Sequence, residues 1–424
     1  MIQDHKILAR LLESVVGTNN LLENQALHID SITPPLIVKP AETEQVAECL
    51  NICAKQGAAV IPAGAMSWLE CGNPLRRGEV ILSLQNLSRV IDYSPADLTV
   101  TVEAGISLQT LNAIAKTERQ WLPFDPPGSV DSTLGAIAAC ASSGALRFGF
   151  GTPRDYVIGL RLAHIDGTES KCGGRVVKNV AGYDLNKLYV GSFGTLAVIT
   201  ELNFKLRPLP EQMATLMIAA KNPARLADIA KAILNSTHLQ PASIYLISRI
   251  SSIANEDALL VRFGDSETVV KNQIEETTNL LDEDFYLNLL NEDEAERLWS
   301  EVANLDTKTY CAVRISVPLA SATSVYEKLL KMSEVKIATA DVGVGIIRLG
   351  FEGSNQQSID LIKQMRVEAA CLGGTLFVER APEAVRQAAD AWNDVGTLAP
   401  LMKGMKRNFD PESLLNPGKF VAGI

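Results

Sequence analysis

Lys178, Asn179, Tyr183, Asp184 and Lys187 stand between two glycine clusters in the run GGRVVKNVAGYDLNKLYVGSFGTLAVITE, Gly173 to Glu201, which closes on an apolar strand. Lysine, tyrosine and aspartate hold and move protons, so Lys178, Tyr183 and Asp184 are candidate acids or bases. Asp184 equally suits fixing the turn after Gly182 by accepting from backbone N–H groups. Upstream, Arg147 and Arg154 offer the planar guanidinium fork that matches a carboxylate. An isolated arginine also serves as an ordinary ion-pair partner, and no single catalytic base follows from these residues.

Three stretches of small residues surround this chemistry. PAGAMSWLECG follows a strand and exposes the consecutive N–H groups of Gly64, Ala65, Met66, Ser67 and Trp68, a nest that binds a pyrophosphate without a basic side chain. In STLGAIAACASSGAL, Thr133, Gly135, Ser142 and Gly144 leave the backbone bare, so that a large flat group can approach it, although small residues also serve close helix packing. VGSFGTLAVIT runs into a strand whose peptide groups at Ile199 can meet a ring edge. Three such segments favour a cofactor. Neither G-x-G-x-x-G nor G-x-x-x-x-G-K-[ST] occurs, which argues against an ordinary dinucleotide fold or P-loop chemistry.

The elements that position these loops read as two blocks. The first has a helix from His5 to Val16, a strand Leu36–Val38, a helix Thr43–Gln56 stopped by Gly57, a strand Ala58–Ile61, a strand Leu98–Glu103 and a helix Ser107–Lys116. It closes on strands Leu196–Glu201 and Asn203–Leu206, and RPLP at Arg207–Pro210 marks a boundary. The second block repeats. Strand Thr215–Ala219, helix Pro223–Leu234, strands Ser243–Ile247 and Ala258–Phe263, and helix Glu267–Leu281 form one unit. After a linking helix, Glu292–Ala303, come strand Ala312–Val317, helix Ala322–Met332, strands Val335–Ala340 and Gly345–Phe351, and helix Gln356–Ala370. Two ferredoxin-like halves would make one α+β domain. The expected organisation is 1–32 as helix and loop, 33–210 and 211–400 as two domains, and 401–424 as a tail returning to the first.

The chain has 424 residues, 47% hydrophobic and 21% charged, enough for two cores. Its net charge of -10 argues against a nucleic-acid partner. No apolar run reaches the ~18–20 residues of a membrane span, and MIQDHKILAR lacks a signal-peptide core, so a cytoplasmic protein is expected, with peripheral membrane attachment only through partners. Seven scattered cysteines suit a reducing compartment, with Cys49 and Cys53 as buried thiols and no iron–sulfur cluster. His5, His28, His164 and His238 never come within metal-ligand spacing, so no metal site is expected. The acidic run at Asn291–Glu301 reads as the solvated face of a helix, with Leu298 and Trp299 on its core side.

The opening run, together with FDPPGSVDSTLGAIAACASSGALRFGFGTPRDYVIGLRLAHIDG and the closing FDPESLLNPGKF, resembles the FAD-binding subunits of bacterial glycolate oxidases, flavoproteins of the vanillyl-alcohol-oxidase and p-cresol-methylhydroxylase (PCMH) type. The resemblance is strong over residues 33–210 and 403–420. It implies an α+β fold, a two-subdomain FAD-binding domain followed by a ferredoxin-like domain. FAD would lie with its pyrophosphate on Gly64–Trp68 and its flavin along Gly128, Thr133, Gly135, Ser142, Gly144 and Ile199. No histidine stands in the pyrophosphate loop, so FAD would be non-covalent. The implied activity is oxidation of glycolate to glyoxylate beside a catalytic FAD-containing subunit and an iron–sulfur subunit. Related catalytic subunits carry a paired-histidine motif that this chain lacks, and they tend to have asparagine near Ile137. Two other readings stay open: a self-sufficient dehydrogenase of D-lactate-like 2-hydroxy acids, and a non-catalytic assembly subunit with a vestigial flavin pocket.

Overall fold

The computed structural model describes residues 5–128, 131–174, 183–248, 257–305 and 309–424. The first sheet takes β1 (Leu21–Glu23), β2 (Leu36–Val38), β3 (Val60–Ala63) and β4 (Val80–Ser83) in the order β1-β2-β4-β3, with β2, β4 and β3 parallel. The helix Thr43–Lys55 links β2 to β3. It buries Val46, Cys49, Leu50 and Cys53 on one stripe and ends at Gly57, whose φ of 62° only glycine adopts cheaply.

A second, antiparallel sheet follows from β5 (Val90–Ser94), β6 (Thr99–Glu103), β8 (Val157–Ala163), β9 (Glu169–Gly173) and β10 (Val198–Lys205), ordered β5-β6-β10-β8-β9. Where two strands were expected between Leu196 and Leu206, β10 runs unbroken and absorbs the irregularity as register shifts against β8. Arg207–Pro208 is not a bare linker either: as β11 it pairs with β7 (Gln120–Trp121). One apolar core joins both sheets to the N-terminal helix His5–Val16, through Leu8, Leu12 and Val16, and to Leu414 and Leu415.

Residues from Gln212 onward build an eight-stranded antiparallel sheet from two β-α-β-β-α-β units. The first unit contributes β12 (Gln212–Ala220), β13 (Ser243–Ser248), β14 (Ala258–Asp265) and β15 (Phe285–Leu290). The second contributes β16 (Cys311–Ser316), β17 (Val335–Asp341), β18 (Ile346–Phe351) and β19 (Thr375–Arg380). The order β15-β12-β14-β13-β17-β18-β16-β19 places the units back to back, joined by antiparallel β13 and β17. The repeat was legible, but each unit carries an outer strand, β15 and β19, that the sequence reading did not assign.

Strand alternation decides which face each residue meets. Ile244, Leu246, Val313, Ile315, Ile347, Leu349, Leu376 and Val378 point to one face, into a core with the helices Arg225–Asn235 and Leu319–Leu330. Each fully buried aliphatic side chain of that kind contributes roughly 1.5–3 kcal/mol. The opposite face carries Tyr245, Arg314, Ser316, Arg348, Phe377 and Glu379 and turns toward the two-sheet module. There Ser243 Oγ donates to Ala145 O at 2.8 Å and Gly149 N to Ala242 O at 3.0 Å.

After this sheet the chain returns to the first module. The helix Ala399–Phe409 leads to Leu415, which bridges in parallel to Val60. Lys406 is buried and donates to Asp410 Oδ2 at 2.6 Å, Thr195 O at 2.7 Å and Leu415 O at 2.9 Å, while Asn416 donates to Phe193 O at 2.7 Å. These bonds replace water on every donor of a desolvated cation, the condition for tolerating it inside a core.

Candidate functional site

Two adjoining cavities share Trp68, Cys140 and Phe193 as walls. The narrower, about 90 Å³, is lined by Gly64, Met66, Ser67 and Trp68 of the β3–β4 loop, by Thr133, Gly135 and Ala139, by Gly194 and Ile199, and by Asn416 and Lys419 of the returning segment. Met66 sits at φ 64°, a left-handed turn that directs successive N–H groups to one side. A Cβ on Gly64 would fall 1.9 Å from Thr133 Oγ1, and one on Gly135 would fall 2.7 Å from Ala104 Cβ. Close packing against Thr133 and Ala104 requires glycine at both positions, and both line the cavity. Thr133 caps the helix Leu134–Cys140, accepting from Ala136 N.

The wider cavity, about 450 Å³, lies between the first module and the open face of the eight-stranded sheet. From the first side come Ser142, Gly144, Arg147, Arg154 and Asp125; from the other come Tyr245, Arg314, Arg348 and Glu379. Phe193, Phe377, Trp392 and Phe420 form an aromatic wall, with ring centroids 4.4–5.5 Å apart. Glu379 accepts from Arg348 Nε at 2.8 Å and lies 3.9 Å from Arg314 Nε, while Arg348 also donates to Val302 O and Ala303 O at 3.0 and 2.8 Å.

The charges here are held against their preferences. Burial lowers the Arg147 pKa and the nearby Arg314 guanidinium lowers it further; its Nε is buried with no hydrogen-bond partner. Two guanidiniums that repel across a cavity favour an anion between them. Asp341, beside Arg147 and Tyr245, is pushed up to about 7 by burial. Asp125 accepts from Leu146 N with both oxygens at 3.1 Å and is pushed up to about 6 by burial, against the lowering effect of Arg262 and these backbone bonds.

Of the residues expected from sequence, Gly64, Met66, Ser67, Trp68, Thr133, Gly135, Ile199, Ser142, Gly144, Arg147 and Arg154 all line one cavity or the other. Ala65 belongs to the same loop without lining it, and Gly128 packs against the edge of Trp68 at φ 107°. Arg154 donates to Lys187 O at 3.1 Å, and Lys187 Nζ returns a bond to Arg154 O. Tyr183 is 94% exposed and lines neither cavity, because it precedes a short helix whose buried members are Asn186 and Tyr189. Lys178 and Asn179 lie outside the described residues. Arg314, Arg348, Glu379 and Lys419 were missed. Arg314 and Arg348 stand as charges inside apolar strands, CAVRISV and GIIRLGF, alternating with core residues, a pattern that does not by itself tell which face they meet. None of the four histidines lines either cavity, and among the described residues no group of three or more His, Cys, Asp or Glu could hold a metal ion.

Residues 34–173 match the family model for an FAD binding domain. The glycolate oxidase subunit GlcD of Bacillus subtilis (strain 168) is 27% identical over 92% of this chain and 89% of its own length. The glycolate oxidase subunit GlcE of Escherichia coli (strain K12) is 34% identical, over 43% of this chain and 49% of its own. The sequence thus has a full-length relative of the GlcD type, and the narrower resemblance to the FAD-binding subunit alone does not single out one subunit. Among solved structures, p-cresol methylhydroxylase with substrate bound superposes with a TM-score of 0.76 at 14% identity, covering 99% of this chain and 96% of that one. The α+β, PCMH-type fold is therefore as expected. The joined cavities fit FAD, a narrow glycine-lined channel leading into a wider aromatic-walled chamber. No helix of the described residues is long and apolar enough to cross a membrane.

Proposed function

From the premise that the chain is an FAD-dependent oxidoreductase on a PCMH-type flavin fold, we propose that it oxidises a small 2-hydroxy acid, glycolate first, within a glycolate oxidase complex. The observation that carries this is the convergence of Arg147 with Arg314 and Arg348 on one cavity that continues into the cofactor cavity. Arg147, with its unpartnered Nε, and Arg314 clamp the substrate carboxylate from opposite sides. Asp125 accepts from the Leu146 N–H and Glu379 from Arg348, and these two cavity-lining carboxylates are the candidates to receive the hydroxyl proton. FAD, when bound along Gly64–Trp68 and Ser142–Gly144, supplies the acceptor for the hydride leaving the α-carbon. The aromatic wall of Phe377 and Trp392 excludes water from that transfer.

The electrons then pass to a partner, in this reading an iron–sulfur subunit, and any membrane attachment runs through partner chains. The location of the domains follows the same reading, with 33–210 and the returning tail holding FAD and 211–400 closing the substrate side. A second reading, a self-sufficient 2-hydroxy-acid dehydrogenase, is favoured by the same arginines, since they complete a substrate site without another chain. Anaerobic visible spectra of the isolated chain before and after glycolate, then D-lactate, separate the possibilities. Bleaching by glycolate supports a complete site here. A flavin that stays oxidised with every 2-hydroxy acid sinks the substrate assignment, and a colourless protein points to a vestigial pocket.

A further inference from the structure

The narrow cavity has one charged side chain among its described lining residues, Lys419. It is only 4% exposed, and its position is set by the backbone: Lys419 O accepts from Asn73 N at 3.0 Å and from Trp392 Nε1 at 3.2 Å, and Lys419 N donates to Asn416 O at 3.1 Å. The ammonium has three donors, of which one reaches Leu69 O at the end of the Gly64–Trp68 loop. The groups facing it are Cys71, Arg386, Asp30 and Cys140. Asp30, the carboxylate among them, is already paired with Arg386. Cys71 and Asp30 favour its charged form, but the Asp30 carboxylate is shared with Arg386, so a desolvated cation here is costly and a bound anion would offset that cost.

We propose that Lys419 is the counter-charge of the FAD pyrophosphate, its ammonium donating to a phosphate oxygen held on the Gly64–Trp68 loop. The loop supplies N–H dipoles and the returning segment supplies the full charge, so cofactor affinity depends on a residue remote in sequence from the FAD-binding motif. The inference rests on placing the pyrophosphate at that loop. Burial lowers the Lys419 pKa to about 8, and a bound anion would raise it again, so binding takes up a proton above that pH.

The test uses the full apo chain and titrates FAD, ADP and adenosine by fluorescence or calorimetry. Lys419→Met should weaken FAD and ADP by roughly tenfold to a hundredfold, the scale of a charge-assisted hydrogen bond, and leave adenosine unchanged. Unchanged ADP affinity, or an equal loss for adenosine, overturns the proposal. The wild-type chain gives a second route that needs no variant: ADP affinity should fall by up to about tenfold per pH unit above about pH 8 while adenosine stays level, and a level ADP profile overturns it. Gly64→Val separates the two layers. If it leaves FAD affinity intact, the loop placement itself fails. If it abolishes binding with an unchanged melting temperature while Lys419→Met does not, only the counter-charge fails.

Discussion

The two units of the eight-stranded sheet carry an arginine at matching places, Arg262 in VRFG of β14 and Arg348 in IRLG of β18, both on the face toward the flavin module. Their fates differ. Arg262 lies under the Trp299 ring at 4.4 Å, where the helix Glu292–Ala303 covers the sheet, and it faces Asp125 across the joint. Arg348 lines the open cavity with Arg314 and Glu379. The linking helix follows the first unit and lies over it, with Leu298, Trp299 and Val302 in a core with Tyr245 and Leu260. One unit thereby becomes a closed joint; the helix reaches its twin through Ala312, Ile337 and the Arg348 bonds to Val302 O and Ala303 O, but leaves Arg314 and Arg348 lining the cavity. The fold of the unit does not determine which is which; the covering helix does.

The comparison breaks most visibly in kinetics. Arg147→Leu or Arg314→Leu should raise KM for glycolate about 100-fold with an unchanged melting temperature, in line with loss of a charge-assisted bond to a carboxylate. Arg262→Met should do the reverse, leaving KM near wild type and costing about 2 kcal/mol of stability at pH 7.5 in a denaturant titration, since Asp125 then loses its partner. That cost should shrink below pH 6, where Asp125 takes a proton.

Asp341 sharpens the contrast at the seam between the units. Its pKa is raised in the folded state, so its contribution to stability is complete below its unfolded value near 4 and is lost as the pH rises through about 7. Asp341→Asn should flatten the melting temperature across that window, removing a slope of at most about 1.4 kcal/mol per pH unit. The smallest effect belongs to the covering helix. Trp299→Phe removes the 3.0 Å bond from Nε1 to Thr215 Oγ1 and should cost about 1 kcal/mol in thermal unfolding, with little change in KM.

Elements with a clean period were legible without coordinates. The helices His5–Val16 and Glu292–Ala303 stand at the limits the pattern gives, because each presents one apolar stripe, and the second opens on the Asn291 and Glu294 capping box. Strand β15, FYLNLL, was not legible. It is an edge strand with Tyr286 and Leu289 exposed, so its pattern marks no buried face. The glycine-rich loops that line the cavities could be read because small residues leave a trace in composition. Arg314 and Arg348 could not be assigned, since a single arginine in a strand acquires meaning only when its face is known. Tyr183 is the opposite case, a reactive type in a suggestive motif whose side chain is exposed and lines neither cavity.

The bridge from Leu415 to Val60 has a consequence for how the protein is made. Its two ends are separated by nearly the whole intervening chain, including the entire eight-stranded sheet. On a ribosome the first sheet emerges early and waits, its β3 edge unpaired on that side and Lys406, Asn416 and Lys419 still to come. The module that carries the FAD motif cannot close until the other module has been synthesised. A nascent chain stalled inside that sheet would carry the family motif without Asn416 and Lys419, the last wall of the narrow cavity.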